Sequence, residues 1–139
     1  MEFLHRTWAE IDIDALIHNF SVIKRHAAGA RLMAIVKADA YGHSARNTAP
    51  VLEEQGADAF GVSNIEEAIT LRGCGITRPI LILGYTPVSM AAQLYLNDIT
   101  QCVYSAEYAA ALSERACRDN VKIKIHIKLD TGMSRIGFD

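Results

Sequence analysis

Two segments of the chain contain side chains whose types and spacing could do chemistry. The first, AIVKADAYGHS, presents Lys37 at the end of an apolar run and then turns through Asp39, Tyr41 and Gly42. A lysine at the mouth of a strand can lose solvation on its strand side, which leaves a neutral amine able to form a Schiff base with a carbonyl. The alternative is a strand-end lysine that points into water, and exposed lysines far outnumber catalytic ones.

The second segment, KLDTGMSRIGF, places Lys128, Asp130 and Arg135 around a turn that contains Gly132. From the pattern alone, a solvated turn after a strand explains it equally well. Just upstream, His126 alternates with isoleucines on a predicted strand, so we predict a structural histidine with satisfied hydrogen bonds.

The elements that must position these residues are short β-branched strands separated by helices. Five apolar runs predict strands, at 32–36, 59–62, 80–83, 99–104 and 123–129. The segments between them have helical periodicity, and several begin with capping signals: Ser44, Ser63 with Glu66 three residues later, Thr86 before Pro87, and Ser105. Before the first run, a strand-like TWAEIDID at 7–14 leads to a helix that is predicted to begin after Asp14.

Strand followed by helix, repeated, predicts an α/β fold with a parallel sheet. About five strands cannot close an eight-stranded barrel. The alternatives are a doubly wound sheet, a barrel completed by another chain, and a partial βα barrel of the TIM type that stops before closure, which we favour. In either parallel architecture ligands gather at the carboxyl ends of the strands, where Lys37 and residues 130–135 are predicted to lie.

Composition excludes several classes of protein. Half of the 139 residues are apolar and the formal net charge is −2, with no long run of either sign, so nucleic acid is not an expected partner. The chain has no secretory signal and no apolar stretch that could span a membrane, which predicts a cytoplasmic protein. Three widely spaced cysteines indicate neither a disulfide framework nor a zinc site, and no metal is expected.

With both motifs in view, the chain resembles the N-terminal part of bacterial alanine racemases. AIVKADAYGH resembles their cofactor motif, KLDTGMSRIGF resembles a second motif, and WAEIDIDALIHNF resembles their start, in the same order. The resemblance implies that Lys37 binds pyridoxal 5'-phosphate covalently, that Tyr41 contacts its phosphate, and that Arg135 hydrogen-bonds near its phenolic oxygen. It also implies that Lys128 is carbamylated, as in many members, and that His43 has no catalytic role.

The resemblance further implies the interconversion of L- and D-alanine by a homodimer. In the family the second proton-transfer base is a tyrosine from the partner's C-terminal β-domain, to which no residue here corresponds. We therefore expect residues 1–139 to be an N-terminal barrel portion, inactive alone. The alternatives are a serine racemase of the same family, a cofactor-binding or self-associating half barrel without catalysis, and a lysine-dependent aldolase that uses no cofactor.

Overall fold

The computed structural model describes residues 7–139, in which strands and helices alternate. The elements follow in the order α1 (Ile13–His26), β1 (Met33–Ile35), α2 (Lys37–Tyr41), α3 (Ala45–Glu54), β2 (Ala59–Val62), α4 (Ile65–Gly73), β3 (Ile80–Ile82), a 3-10 turn (Val88–Met90), α5 (Ala91–Leu96), β4 (Ile99–Val103), α6 (Ala106–Arg118) and β5 (Ile125–Ile127). The five predicted strands are all present and shorter than predicted in most cases. Across this part of the chain, no helix has the length and apolar content needed to cross a bilayer.

The five strands form one parallel sheet in the order β1-β2-β3-β4-β5. Each strand therefore pairs with the strand before it in the chain. Right-handed crossovers repeated in one direction place every helix on the same face, whereas a doubly wound sheet reverses its strand order and covers both faces. The sheet is thus an open arc of a βα barrel, which confirms the predicted partial barrel over the doubly wound alternative.

The core lies between the sheet and the helices. Phe60, Ile80 and Ile99 are paired by the register of β2, β3 and β4, and each is at most 1% exposed. Leu71 from α4 and Leu94 from α5 pack into the same cluster. Burying one such side chain contributes about 1.5–3 kcal/mol, so this row fixes the relative heights of the strands and hence of the turns that follow them.

The predicted strand at residues 7–14 is wrong. Residues 7–12 form no regular element, and α1 begins at Ile13, two residues before the predicted start. The reason is that Asp12 caps the helix: its carboxylate accepts a hydrogen bond of 2.9 Å from the N–H of Ala15. A short carboxylate that satisfies one of the free N–H groups of the first turn ends the extended backbone at that residue.

Two of the predicted helix starts depend on which polar side chain accepts the first free N–H groups. Ser105 caps α6 as predicted, accepting a hydrogen bond from the backbone of Tyr108. The Ser63 cap is wrong by one residue, because Asn64 Oδ1 accepts a hydrogen bond of 2.9 Å from the N–H of Glu67 and thereby caps α4. The acid three residues after this cap is accordingly Glu67 and not Glu66, and its carboxylate accepts a hydrogen bond from the N–H of Ser63, the residue before the cap.

The other two predicted caps do not work through the predicted hydroxyl groups. Ser44 occupies the position before α3 but its side chain forms no capping hydrogen bond. Thr86 is fully buried, and its hydroxyl has no hydrogen-bond partner among residues 7–139. The 3-10 turn that follows it is preceded instead by Pro87, whose fixed φ suits the start of a helical turn.

At the far edge of the sheet, β5 spans only residues 125–127 of the predicted 123–129, and its three side chains are exposed. The prediction of a satisfied structural histidine is wrong, because the ring of His126 forms no hydrogen bond within residues 7–139 and is exposed. The physical reason is that β5 pairs only with β4, so its other edge is left open among the described residues.

Candidate functional site

Lys37 lies two residues after the end of β1, at the carboxyl ends of the strands, and is half-buried. The preceding residue, Val36, is 3% exposed and donates a hydrogen bond of 2.9 Å to the carbonyl of Gly61 in β2. Lys37 Nζ lies 5.9 Å from the ring centroid of Tyr41, within the range of a cation–π contact. No ion pair within residues 7–139 involves this amine.

The backbone after Lys37 forms a left-handed turn. Ala38, Asp39, Ala40 and Tyr41 have φ values of 51°, 53°, 55° and 55°. A left-handed helical conformation costs roughly 1–2 kcal/mol for each residue that has a Cβ, so the four together cost several kcal/mol. Strain of this kind persists only where the surrounding structure imposes it, and it is concentrated at functional sites.

Asp39 connects this turn to the helix that follows. Its Oδ1 accepts a hydrogen bond of 2.7 Å from the N–H of Ala45, the first residue of α3, and so replaces the cap that Ser44 does not provide. Within the turn, the N–H of Ala40 donates to the carbonyl of Val36 at 2.9 Å. The turn is therefore anchored both to the end of β1 and to the start of α3.

Glu67 ties the same turn to the neighbouring strand. One carboxylate oxygen accepts a hydrogen bond from the N–H of Ala38, and the other accepts from both the N–H and the hydroxyl of Ser63, each at 2.8 Å. Glu67 was not among the residues predicted from the sequence. The available signal was the Asn-x-x-Glu spacing from Asn64, which marks a capping box directly after β2.

The loop that contains Arg135 is organised by Asp130. Its Oδ1 accepts hydrogen bonds of 3.0 Å from the N–H groups of Ser134 and Gly132. These bonds, that from Ser134 first, lower the pKa of the Asp130 carboxyl below its usual range. The predicted turn is therefore present, with Arg135 exposed on it.

The base of this loop is closed by a short backbone ladder. The N–H of Phe138 donates to the carbonyl of Lys128 at 2.9 Å, and the N–H of Asp130 donates to the carbonyl of Phe138 at 2.8 Å. A Cβ added to Gly137, which has a φ of 140°, would lie 2.6 Å from the Asp130 nitrogen. Only glycine allows this approach, so the loop can close on the strand that precedes it.

Lys128 is half-buried and follows β5. Like Lys37 it lies at the carboxyl ends of the strands, but β5 and β1 are the two outer strands on opposite sides of the sheet. The register places His126 beside Cys102, and Lys128, two residues later, follows on the same face. Burial raises the pKa of the Cys102 thiol, an effect that the charge of Lys128 partly offsets. The structure therefore brings Lys37 and Tyr41 together, while no hydrogen bond within residues 7–139 joins the side chains of Lys128 and Arg135 to each other or to Lys37.

Three tyrosines follow β3 and β4 at the carboxyl ends of these strands: Tyr85, Tyr104 and Tyr108. The rings of Tyr104 and Tyr108 are stacked with centroids 5.2 Å apart, and Tyr85 meets Tyr108 at 5.5 Å. The hydroxyl of Tyr108 donates to the carbonyl of Thr86 at 2.8 Å, and burial raises its pKa to about 12. These rings form an aromatic cluster at the carboxyl ends of β3 and β4, the strands that lie between those of the two lysines in the sheet order.

Comparison with known proteins gives a consistent family assignment. Residues 11–139 match the family model described as the N-terminal domain of alanine racemase. Over 94% of its length the chain is 50% identical to alanine racemase 1 of Clostridium acetobutylicum, and over 95% it is 46% identical to alanine racemase 1 of Caldanaerobacter subterraneus. The chain spans 34% of the length of each of these relatives.

Solved structures agree with the sequence relatives. The alanine racemase of Clostridium difficile superposes on 99% of the chain with a TM-score of 0.91 and 42% identity. A histidine racemase from Leuconostoc mesenteroides superposes on 93% with a TM-score of 0.86 and 32% identity. The chain covers 37% and 35% of these two proteins. A family match over nearly the whole chain, together with an open βα arc that has a lysine at the end of its first strand, shows that the chain belongs to the alanine racemase family.

Proposed function

We propose that this chain is the cofactor-binding N-terminal part of a pyridoxal-phosphate-dependent racemase that interconverts L- and D-alanine. The observation that supports it is the placement of Lys37: a half-buried amine at a strand end, without an ion pair in the described chain and 5.9 Å from the Tyr41 ring. An amine suits the aldehyde of the cofactor, and a phenol suits its phosphate. The donor set therefore fits pyridoxal phosphate.

Racemisation requires a proton to leave one face of the α-carbon and another to arrive on the opposite face. When bound, pyridoxal phosphate supplies the electron sink that makes loss of this proton possible. In our proposal the amine of Lys37 holds or releases the proton on one face. Tyr41 donates to a phosphate oxygen, and Arg135 supplies a hydrogen bond near the phenolic oxygen. Lys128, once carbamylated, becomes an anion that orients Arg135.

The proposal includes a homodimer and a cytoplasmic setting, with no nucleic acid or membrane as partner. The family assigns the base for the opposite face to the C-terminal domain of the partner subunit, and this chain spans about a third of its relatives. We therefore expect the 139-residue chain to lack racemase activity. Incorporation of solvent deuterium into alanine, measured by NMR, tests this, and a rate well above that of free pyridoxal phosphate would contradict it.

Alanine is the substrate that we propose, because the relatives that are about half identical to the chain are alanine racemases. Serine remains the alternative within the family. The histidine racemase of Leuconostoc shares the fold at lower identity, so the βα arc alone does not select the amino acid.

The covalent test is to reduce a mixture of the chain and pyridoxal phosphate with borohydride and to map the labelled peptides. We expect the label on Lys37, and its loss in the variant Lys37→Arg. Label on Lys128, or equally on several lysines, would refute the assignment. Trapping of a carbonyl substrate on Lys37 without pyridoxal phosphate would favour the aldolase, and cofactor absorbance without α-proton exchange in the full-length enzyme would favour a non-catalytic half barrel.

Self-association of the isolated chain is a further part of the proposal. The described sheet has two open edges, and Ile125 and Ile127 on β5 are 48% and 67% exposed. Unpaired parallel strands recruit other strands, and two-fold dimers are the commonest result. Sedimentation velocity over a concentration series should show a dimer at micromolar concentration, whereas one monomeric species at high concentration would contradict this.

A further inference from the structure

Glu67 reaches the backbone beside Lys37, because its carboxylate accepts a hydrogen bond from the N–H of Ala38, the residue that directly follows that lysine. Glu67 and Ala38 are 29 positions apart in the chain, so the contact joins α4 to the turn that follows β1. The carboxylate accepts three hydrogen bonds of 2.8 Å and forms no ion pair within residues 7–139. Two of the three donors are backbone N–H groups, so the carboxylate holds two backbone segments together.

We propose that Glu67 is a positioning residue that fixes the direction in which Lys37 leaves β1, an inference that rests on the proposed function of Lys37. The backbone from Ala38 to Tyr41 is left-handed, so it does not hold its own geometry through ordinary local preference. The Ala38 N–H begins this turn, and its partner is a side chain on another element. The position of Glu67 therefore determines where the turn starts.

The chemistry of a carboxylate is essential to this role. Both oxygens of Glu67 receive backbone N–H groups, one from Ala38 and one from Ser63. A glutamine offers one acceptor oxygen and turns its NH2 group toward the other N–H donor, so it can satisfy only one of the two. A carboxylate can hold the ends of β1 and β2 in register, and an amide can do so only partly.

The test compares the variants Glu67→Ala and Glu67→Gln with Glu66→Ala. Glu66 lies on the same first turn of α4 and is exposed, so its removal deletes the same charge near the helix N-terminus without a backbone contact to Ala38. Hydrogen exchange at the Ala38 amide reports the turn without any cofactor. We expect about tenfold faster exchange in Glu67→Ala, a smaller increase in Glu67→Gln, and none in Glu66→Ala.

The second readout is borohydride trapping of pyridoxal phosphate at Lys37, expressed relative to the exposed Lys122 in the same sample. We expect this ratio to fall severalfold in Glu67→Ala, partly in Glu67→Gln, and not in Glu66→Ala. A general loss of stability would change the labelling of Lys37 and of Lys122 alike in every variant, so the ratio between them would stay the same. If Glu67→Ala does not fold, the same measurements on Glu67→Gln decide the question.

Unchanged exchange at the Ala38 amide in the Glu67 variants would overturn the proposal whether or not pyridoxal phosphate reacts. Faster exchange with an unchanged labelling ratio would also overturn it, because the carboxylate would then hold the backbone without positioning the lysine. If wild-type Lys37 is not labelled, the proposed function fails, and with it the part of the inference that concerns the lysine. The exchange data separate that result from a failure of the turn itself.

Discussion

Replacement of Ala38 by glycine is expected to stabilise the protein, although the same substitution in an ordinary helix destabilises it. Ala38 is exposed and has φ and ψ values of 51° and 50°, so its methyl group contributes little burial and stands in a disfavoured conformation. Removing the methyl group relieves roughly 1–2 kcal/mol of left-handed strain. This gain is partly offset, because glycine has more conformational freedom in the unfolded chain, which costs about 0.5–1 kcal/mol on folding. The net stabilisation is therefore about 0.5–1 kcal/mol.

The matched control is Ala110→Gly. Ala110 is also exposed, but it lies within the right-handed helix α6. There the substitution should destabilise the protein by about 0.5–1 kcal/mol, because only the entropic cost remains. The two variants are therefore expected to differ by roughly 1–2 kcal/mol and to lie on opposite sides of the wild type.

Urea unfolding followed by circular dichroism measures both variants under the same conditions. With unfolding slopes of about 1–3 kcal/mol per molar urea, the expected difference separates the two midpoints by several tenths of a molar or more. If Ala38→Gly lowered the free energy of unfolding as much as Ala110→Gly does, residue 38 would not be left-handed. A strained left-handed turn would then not be what holds the site.

Other parts of the structure predict the effects of a glycine substitution, a thiol reagent and a change in pH. Gly84→Ala should destabilise the protein by about 1–3 kcal/mol in urea unfolding, because its new Cβ would lie 2.6 Å from the rigid backbone carbonyl of Ser63; an unchanged midpoint would contradict the packing. Iodoacetamide should modify Cys117 before Cys102, as judged by peptide mapping, since Cys117 is exposed while burial raises the pKa of the Cys102 thiol. Burial would raise the pKa of Glu53, but hydrogen bonds from the loop before β3 outweigh it and lower that pKa below 4.5. The stability advantage of wild type over Glu53→Gln should thus be full above about pH 4.5 and disappear as the pH falls through the folded pKa; a pH-independent difference between the two unfolding curves would argue against it.

Much of the sheet could be predicted because buried parallel strands are apolar on both faces. The run ILIL at 80–83 has no polar position and lies between two strands, so its pattern left little choice of structure. The start of α1 was less predictable. Asp12 and Asp14 alternate with isoleucines, and this alternation is compatible both with an exposed strand and with a capped helix. Only the hydrogen bond from Ala15 distinguishes the two.

The position of Lys37 at a strand end was predictable, but the left-handed turn after it was not. The residues from Ala38 to Tyr41 include no glycine, and local preference argues against this conformation for each of them. The turn depends on a carboxylate that is distant in sequence, and a single sequence does not reveal that contact. The roles of Lys37, Tyr41, Lys128 and Arg135 stay predictions.

The strand order affects the way in which the chain can fold during synthesis. Every pairing in the sheet joins strands that are consecutive in sequence, with partners such as Phe60 and Ile80, or Ile80 and Ile99, about 20 residues apart. A pairing of this length closes a short loop, and among residues 7–139 each strand after β1 pairs with the strand that precedes it in the sequence. Each newly emerged βα unit can therefore add to the edge that the previous unit has just completed, so the arc can grow vectorially from the ribosome, N-terminus first.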